Sequence, residues 1–293
     1  MMIMGANILN REKSIIEFRT ISINSKKVSL LLKQGEKEII KHMEEERPHI
    51  YITRVEGMGL DLLYKYRLEG KGDFPDPYSH YQPEGVHGYS QVVDHGSYEW
   101  RDSCWQGLDL EDYIIYELHV GTFSPEGTFK GVEQRLDYLK DLGITAVEFM
   151  PLTQTPGRWN WGYDGCNLFS VNSNYGTPQD LKCLVDACHQ RKMAVILDVV
   201  YNHLGPEGNY LPFFGPFFTD KHETPWGPAV NFDDDFCEIT RSMVLDNVRY
   251  WLEIYHFDAL RLDAVHTIKD GSEPHILQEI AQVTKETAFR LGR

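Results

Sequence analysis

The chain has 293 residues, 42% of them hydrophobic and 25% charged, a length that suits one large domain or two modest ones. Its 29 basic and 44 acidic residues give a formal net charge of −15, a field that repels phosphate and disfavours nucleic acid and anionic membranes as partners. No run approaches the roughly 20 apolar residues of a membrane helix, the start carries no signal-like apolar stretch, and the five cysteines form no CxxC pair, so reduced thiols in a cytoplasm and no metal are expected.

In chain order, residues up to about 94 read as short extended pieces. The β-rich runs 15–18, 28–32, 49–55 and 62–68, separated by polar or glycine-bearing turns, predict a small β-sandwich. Residues 70–95 are dense in Pro, Gly, Asp and His and read as loop, and the pattern changes near 105–112. From 113 onward, strands are expected over 114–120, 146–150, 194–200 and 259–263. Helices are expected over 130–142, with Val132, Leu136 and Leu139 on one side, and over 178–192, 237–255 and 273–291. The 194–200 run is almost uniformly apolar, as a strand buried on both faces should be. Four consecutive βα units imply a parallel sheet with right-handed crossovers. Too few residues remain for an eight-stranded barrel of about 250 residues, which leaves an open α/β sheet or half a barrel. No GxGxxG follows any strand, against dinucleotide binding.

Chemistry gathers at the ends of the third and fourth strands of this series. The third runs Val195-Ile-Leu-Asp198-Val-Val-Tyr-Asn202-His203, and an aspartate ending a buried apolar strand is costly unless paired or functional. In Phe257-Asp-Ala-Leu-Arg261-Leu-Asp263-Ala-Val-His266, alternation puts Arg261 and Asp263 on one face. A guanidinium so close favours the ionised acid, which suits a nucleophile; a structural Arg–Asp network is the other reading. The loop Arg158-Trp-Asn-Trp161-Gly-Tyr163-Asp164-Gly has the make-up of a sugar platform, with aromatic faces for pyranose C–H groups and polar groups for hydroxyls. Ordinary loop packing would give the same composition.

The segments Asp198-Val-Val-Tyr-Asn202-His203 and Arg261-Leu-Asp263-Ala-Val-His266 resemble the first two signature regions of the α-amylase superfamily, glycoside hydrolase family 13. The blocks Phe74-Pro-Asp-Pro, Gln82-Pro-Glu-Gly-Val-His-Gly, Tyr116 to Phe129, Phe214-Gly-Pro-Phe-Phe-Thr-Asp220 and Thr224-Pro-Trp-Gly227 narrow the resemblance to the subgroup that hydrolyses maltooligosyl-trehalose beside its terminal trehalose. Glucan branching enzymes share the layout and are the second reading; a non-catalytic glucan-binding remnant is a third. The resemblance implies an immunoglobulin-like β-sandwich with its Pro/Gly-rich loop over 1–105, then the first half, four βα units, of a TIM (β/α)8 barrel over 106–293.

By the same resemblance, Asp263 is the nucleophile, Arg261 holds it ionised and Asp198 orients Arg261. His203 bonds the sugar at the cleavage point, Tyr163 stacks beneath it with Asp164 in support, and Trp161 and His266 also contact substrate. Asn202 matches a position that some members use for calcium, although the subgroup is similar to the calcium-free branch. No cofactor is implied, and the partner is maltooligosyl-trehalose or a related α-glucan.

The family's general acid is a glutamate ending a fifth strand, so none is expected within this chain, and the chain alone is expected to be inactive. Glu117 and Glu148 are expected to serve as structural hydrogen-bonding groups. Half a barrel would leave two strand edges open to self-association or to a complementary second half, with Asp198, Arg261 and Asp263 at an open, hydrated rim.

Overall fold

In the computed structural model, which describes residues 4–292, the first nine strands form two antiparallel sheets. They are β1 (Gly5–Asn10), β2 (Ile15–Ile21), β3 (Val28–Gln34), β4 (Lys37–His42), β5 (Glu44–Arg47), β6 (Ile50–Val55), β7 (Leu63–Leu68), β8 (Gly72–Phe74) and β9 (Ser90–Gln91). One sheet has the order β1-β2-β6-β5. The other runs β4-β3-β7-β8, with β9 also on β7. Strand β7 alternates, burying Tyr64, Tyr66 and Leu68, and Tyr64 meets Phe18 of the other sheet edge to face, centroids 4.9 Å apart. The edge strands β4 and β5 are exposed along their whole length. Their Lys37, Glu38, Lys41, Glu44, Glu45 and Arg47 discourage further pairing.

The rest alternates strand and helix: β10 (Ile115–Leu118), α1 (Val120–Phe123), α2 (Phe129–Glu133), α3 (Leu136–Asp141), β11 (Ala146–Phe149), β12 (Thr153–Gln154), β13 (Asn167–Val171), α4 (Pro178–Gln190), β14 (Ala194–Val199), α5 (Leu211–Phe214), β15 (Phe218–Thr224), β16 (Gly227–Val230), α6 (Cys237–Ile254), β17 (Ala259–Leu262) and α7 (Ile276–Leu291). The predicted alternation is therefore an α/β arrangement in which β10-β11-β14-β17 lie parallel in that order. All six residues of β14 are buried, as the uniform apolar run anticipates. The helix expected over 130–142 is broken at Gln134–Arg135 into α2 and α3, which still bury Val132, Leu136 and Leu139. The first strand stops at Leu118 because the chain turns into α1, and α7 starts at Ile276, capped by the His275 ring accepting from the Leu277 amide. Helix α4 opens with a Thr177–Asp180 capping box. It is followed by Lys192 in the left-handed region at φ 62°, a conformation glycine adopts more cheaply.

One buried apolar cluster runs from Ile16 and Phe18 through Tyr78 and Phe169 to Trp251 and Phe257, so the sheets and the α/β part share a core. Two polar clusters lock them further. In the first, His80 Nδ1 and His95 Nε2 lie 3.0 Å apart, and the Lys182 ammonium donates to the His95 carbonyl at 2.7 Å. Burial pushes His80 down to about 4, with Lys182 adding repulsion. The unfolded imidazole takes up its proton near 6.5 and the folded one resists it. Folding stability is thus untouched by His80 above about pH 6.5, falls as pH drops from there to about 4, and loses nothing more from this group below. The expected loss is about 1–3 kcal/mol. Urea melts at pH 7 and 4.5 check it: His80→Phe, which keeps the ring packing against Tyr250, should show a smaller acid loss than the wild type, and equal losses would refute the assignment.

In the second cluster His189 is fully buried between two carboxylates, Nδ1 2.9 Å from Asp102 Oδ2 and Nε2 3.0 Å from Asp258 Oδ2. His256 Nδ1 approaches the same Asp102 oxygen at 2.7 Å, and the Trp105 indole and the Val195 amide donate to Asp258. Burial alone would raise the Asp102 carboxyl, but the hydrogen bonds from His189 and His256 outweigh it and hold the group well below the usual carboxylate range. This network joins the 98–105 segment, the end of α4 and the starts of β14 and β17. It thereby sets the strands whose far ends carry the site.

Candidate active site

Parallel register places Asp198 of β14 directly opposite Arg261 of β17. Arg261 Nη1 donates to Asp198 Oδ1 and Oδ2 at 3.0 and 2.8 Å, and to Asp263 Oδ1 at 2.8 Å. The Tyr163 hydroxyl donates to Asp198 Oδ2 at 2.9 Å. Burial pushes the Asp198 carboxyl up, against the Arg261 and Tyr163 hydrogen bonds that pull it down. Burial opposes the charge of Arg261, yet its bonds to Asp198 and Asp263 carry it above its ordinary value. Both Asp198 oxygens therefore act as acceptors, and the group is committed to positioning. The side chain of Asp198 is 0% exposed, so the expectation that all three ionic groups lie at a hydrated rim is corrected: the aspartate sits below the rim and only Arg261 and Asp263 reach it.

Asp263 follows the last residue of β17. Its amide bonds the Val199 carbonyl, and the next residue, Ala264, takes a left-handed turn at φ 41°, a strained bend of the kind that recurs at functional sites. Its side chain is 19% exposed, and among the described residues only Oδ1 has a hydrogen-bond partner, which leaves Oδ2 open to an electrophile.

The 158–165 loop is pinned beside this cluster. Gly162 has φ 101°, and a Cβ there would lie 2.4 Å from the Pro151 carbonyl oxygen. Gly205 passes so close to Asp164 that a Cβ would lie 2.2 Å from its carbonyl oxygen, while the Gly205 amide bonds Gly165. Two glycines thus bring the Tyr163–Asp164 loop and the His203 segment together. Asn160 donates to Asp164 Oδ2 at 2.9 Å. His203 is buried, which pushes its pKa down against a backbone contact from Tyr163, and its Nδ1 has no partner among the described residues.

The structure gathers Asp198, Arg261, Asp263, Tyr163, Asp164 and His203, but not every residue picked from the sequence. Among the described residues, His266 is exposed in a turn beyond Asp263 with no hydrogen bond, and Trp161 stands 72% exposed without a ring partner. Trp226, which sequence reasoning left without a role, lies flat on His203, centroids 4.4 Å apart at 5°. It sits at the tip of the β15–β16 hairpin and is half exposed. A tryptophan in the Thr-Pro-Trp-Gly turn was the available signal, since a turn rarely spends so large a side chain on solvent.

Glu117 and Glu148 are register neighbours on β10 and β11. Neither makes a side-chain hydrogen bond among the described residues, so the structural bonding expected of them is absent; burial and the nearby Glu117 instead push Glu148 up. The buried Asn202 amide has no partner among the described residues either. No group of three His, Cys, Asp or Glu side chains among the described residues is placed to hold an ion.

Comparison with known proteins is consistent across sequence and structure. The model of the α-amylase catalytic domain matches residues 74–213. The chain is 48% identical over 244 residues to a malto-oligosyltrehalose trehalohydrolase of Saccharolobus solfataricus, covering 83% of this chain and 43% of that protein. It is 37% identical over 226 residues to a 1,4-α-glucan branching enzyme of Bacillus caldolyticus, covering 69% of this chain and 34% of that enzyme. The crystal structure of a putative α-amylase from Salmonella typhimurium superposes with a TM-score of 0.90 at 40% identity, over 97% of this chain and 47% of that one. A pullulanase from Anoxybacillus complexed with maltotetraose, 22% identical, shares the fold at a TM-score of 0.83. The chain spans less than half the length of the curated relatives it matches.

Proposed function

The chain belongs to the α-amylase superfamily, grouping there with the malto-oligosyltrehalose trehalohydrolases, and from that premise we propose that its site serves retaining hydrolysis of the α-1,4 bond beside the terminal trehalose of maltooligosyl-trehalose. The observation that carries the reading is the Asp198–Arg261–Asp263 chain of contacts at adjoining strand ends, with Tyr163 and His203 alongside. Asp263 Oδ2 attacks the anomeric carbon as the glycosidic bond breaks, giving a glycosyl ester that water later hydrolyses. Arg261 orients the nucleophile, and Asp198 with Tyr163 orients Arg261. His203 and Trp226 form one wall for the sugar ring, Tyr163 and Asp164 another, and Trp161 and His266 meet outer parts of the glucan.

The leaving oxygen needs a proton from a second carboxyl about 5–5.5 Å from the first. Asp198 is committed as an acceptor and does not supply it. The paired antiparallel sheets support an immunoglobulin-like domain over 1–105, and the parallel β10-β11-β14-β17 order supports four βα units of a (β/α)8 barrel over 106–293. The outer sides of β10 and β17 pair with no strand among the described residues, which supports a complementary set of βα units or self-association. Five free thiols support a cytoplasmic setting.

A chimera tests the activity. When this chain replaces the matching segment of the Saccharolobus relative, maltooligosyl-trehalose is expected to yield free trehalose and amylose to gain no α-1,6 branches. A shifted iodine stain with branched product and no trehalose would move the assignment to a branching transferase.

A further inference from the structure

Two sequence blocks with no catalytic part, Phe74-Pro-Asp-Pro and Gln82 to Gly88, meet a third, residues 204–217, in space. Phe74 of β8 stacks on Phe213 with centroids 4.3 Å apart at 20°, and its ring also touches Tyr210 and Phe214. The Ile23 amide bonds the Phe214 carbonyl at 2.8 Å, and Asn24 Nδ2 donates to the Pro212 carbonyl at 3.0 Å. The His87 ring and the Tyr210 hydroxyl share a hydrogen bond of 2.6 Å. Gly208 passes so near Val86 that a Cβ would lie 2.3 Å from the valine Cβ. The loop between β14 and β15 is thus held on one side by the first pair of sheets, and on the other, through Gly205, by Asp164.

That loop begins next to His203 and ends at Phe217. The Phe217 and Pro216 carbonyls accept from the backbone and side-chain amides of Asn231, just past β16. It therefore ties both ends of the wall formed by His203 and Trp226. Stacking of an exposed indole on a buried imidazole at 4.4 Å survives only if the hairpin and the β14 end keep a fixed offset, and within this segment the aromatic contacts to Phe74 supply the rigid reference.

We propose that Phe74, with Val86 and His87, is a positioning clamp through which the N-terminal sheets set the placement of Trp226 against His203, and so the shape of the sugar-binding wall. This deepens the glucan-hydrolase reading and rests on it for the identity of the ligand, but not for the mechanical coupling. Phe74 and His87 are positioning residues, since the contacts they make are with the loop.

The test uses the 293-residue chain labelled with 5-fluorotryptophan, the Trp226 fluorine resonance being assigned by its loss in Trp226→Phe, and that of buried Trp251 likewise in Trp251→Phe. Phe74→Ala should shift or split the Trp226 signal, leave the Trp251 signal in place and weaken maltotriose binding roughly tenfold or more. Phe74→Leu, which keeps most of the volume, should restore much of both. His87→Phe, at a half-exposed ring, breaks the contacts with Tyr210 and Glu207 of the same loop and should move Trp226 in the same direction; it keeps the proposal testable if Phe74→Ala does not fold. An unmoved Trp226 resonance in both Phe74→Ala and His87→Phe, or one that moves no more than Trp251, would overturn the clamp. If Trp226 responds while the wild type binds no glucan, the clamp stands and the glucan reading fails.

Discussion

Replacing Asp263 by asparagine in the chimera with the Saccharolobus relative is expected to lower trehalose release on the order of 10⁴-fold or more. The substitution is nearly isosteric, and its amide oxygen still accepts from Arg261, so the strand end keeps its shape. What is lost is the carboxylate oxygen that would form the ester to the anomeric carbon, and no neighbour replaces it. Asp198 shares Arg261 Nη1 with Asp263 and is itself fully buried and bonded to Arg261 and Tyr163. The melting temperature should move little, which separates this outcome from misfolding. Release within tenfold of the unsubstituted chimera would show that Asp263 is not the nucleophile and that the Arg–Asp chain is structural.

The largest effect on stability is expected at the other end of the same strands. His189→Leu keeps the apolar bulk under Trp105 but removes the ring nitrogens lying 2.9 and 3.0 Å from Asp102 and Asp258, two carboxylates whose side chains are each 4% exposed. Deleting a group that hydrogen-bonds a buried polar partner typically costs about 1–3 kcal/mol, and more where the partner left behind is charged. The pH dependence has a definite sign. Asp102 is held far below its unfolded value, so its contribution is present above about pH 4 and is lost as pH falls below that. Urea unfolding at pH 7 should show the destabilisation, and His189→Leu should flatten the acid limb of the stability profile. A loss under about 1 kcal/mol would mean that His189 is not the group that holds this network together.

The sites of these two predictions were not equally legible. Asp198, Arg261 and Asp263 could be picked out because their meaning is local: polar groups at the end of an apolar strand and a two-residue alternation on one face are visible without any partner. The coupling of Asp102, His189, His256 and Asp258 could not be seen that way, because the residues come from a linker, a helix end and a strand start up to 156 positions apart. Each alone is an ordinary polar residue. The strands β12, β13, β15 and β16 escaped for a similar reason: pairing with a partner segment beyond a loop or turn is what makes them strands.

Sequence by itself determined the α/β alternation, the buried character of β14, the parallel character of the four strands and the family, since periodicity, apolar runs and spaced motifs are properties of neighbouring residues. Only the tertiary structure decided that Asp198 lies beneath the rim, that Trp226 covers His203, that Trp161 and His266 stand apart from the cluster, and that Phe74 grips the loop behind them. Those facts depend on crossing distances between segments far apart in the chain. Such distances follow from how the sheets, loops and helices pack together, and no local pattern of residues encodes them.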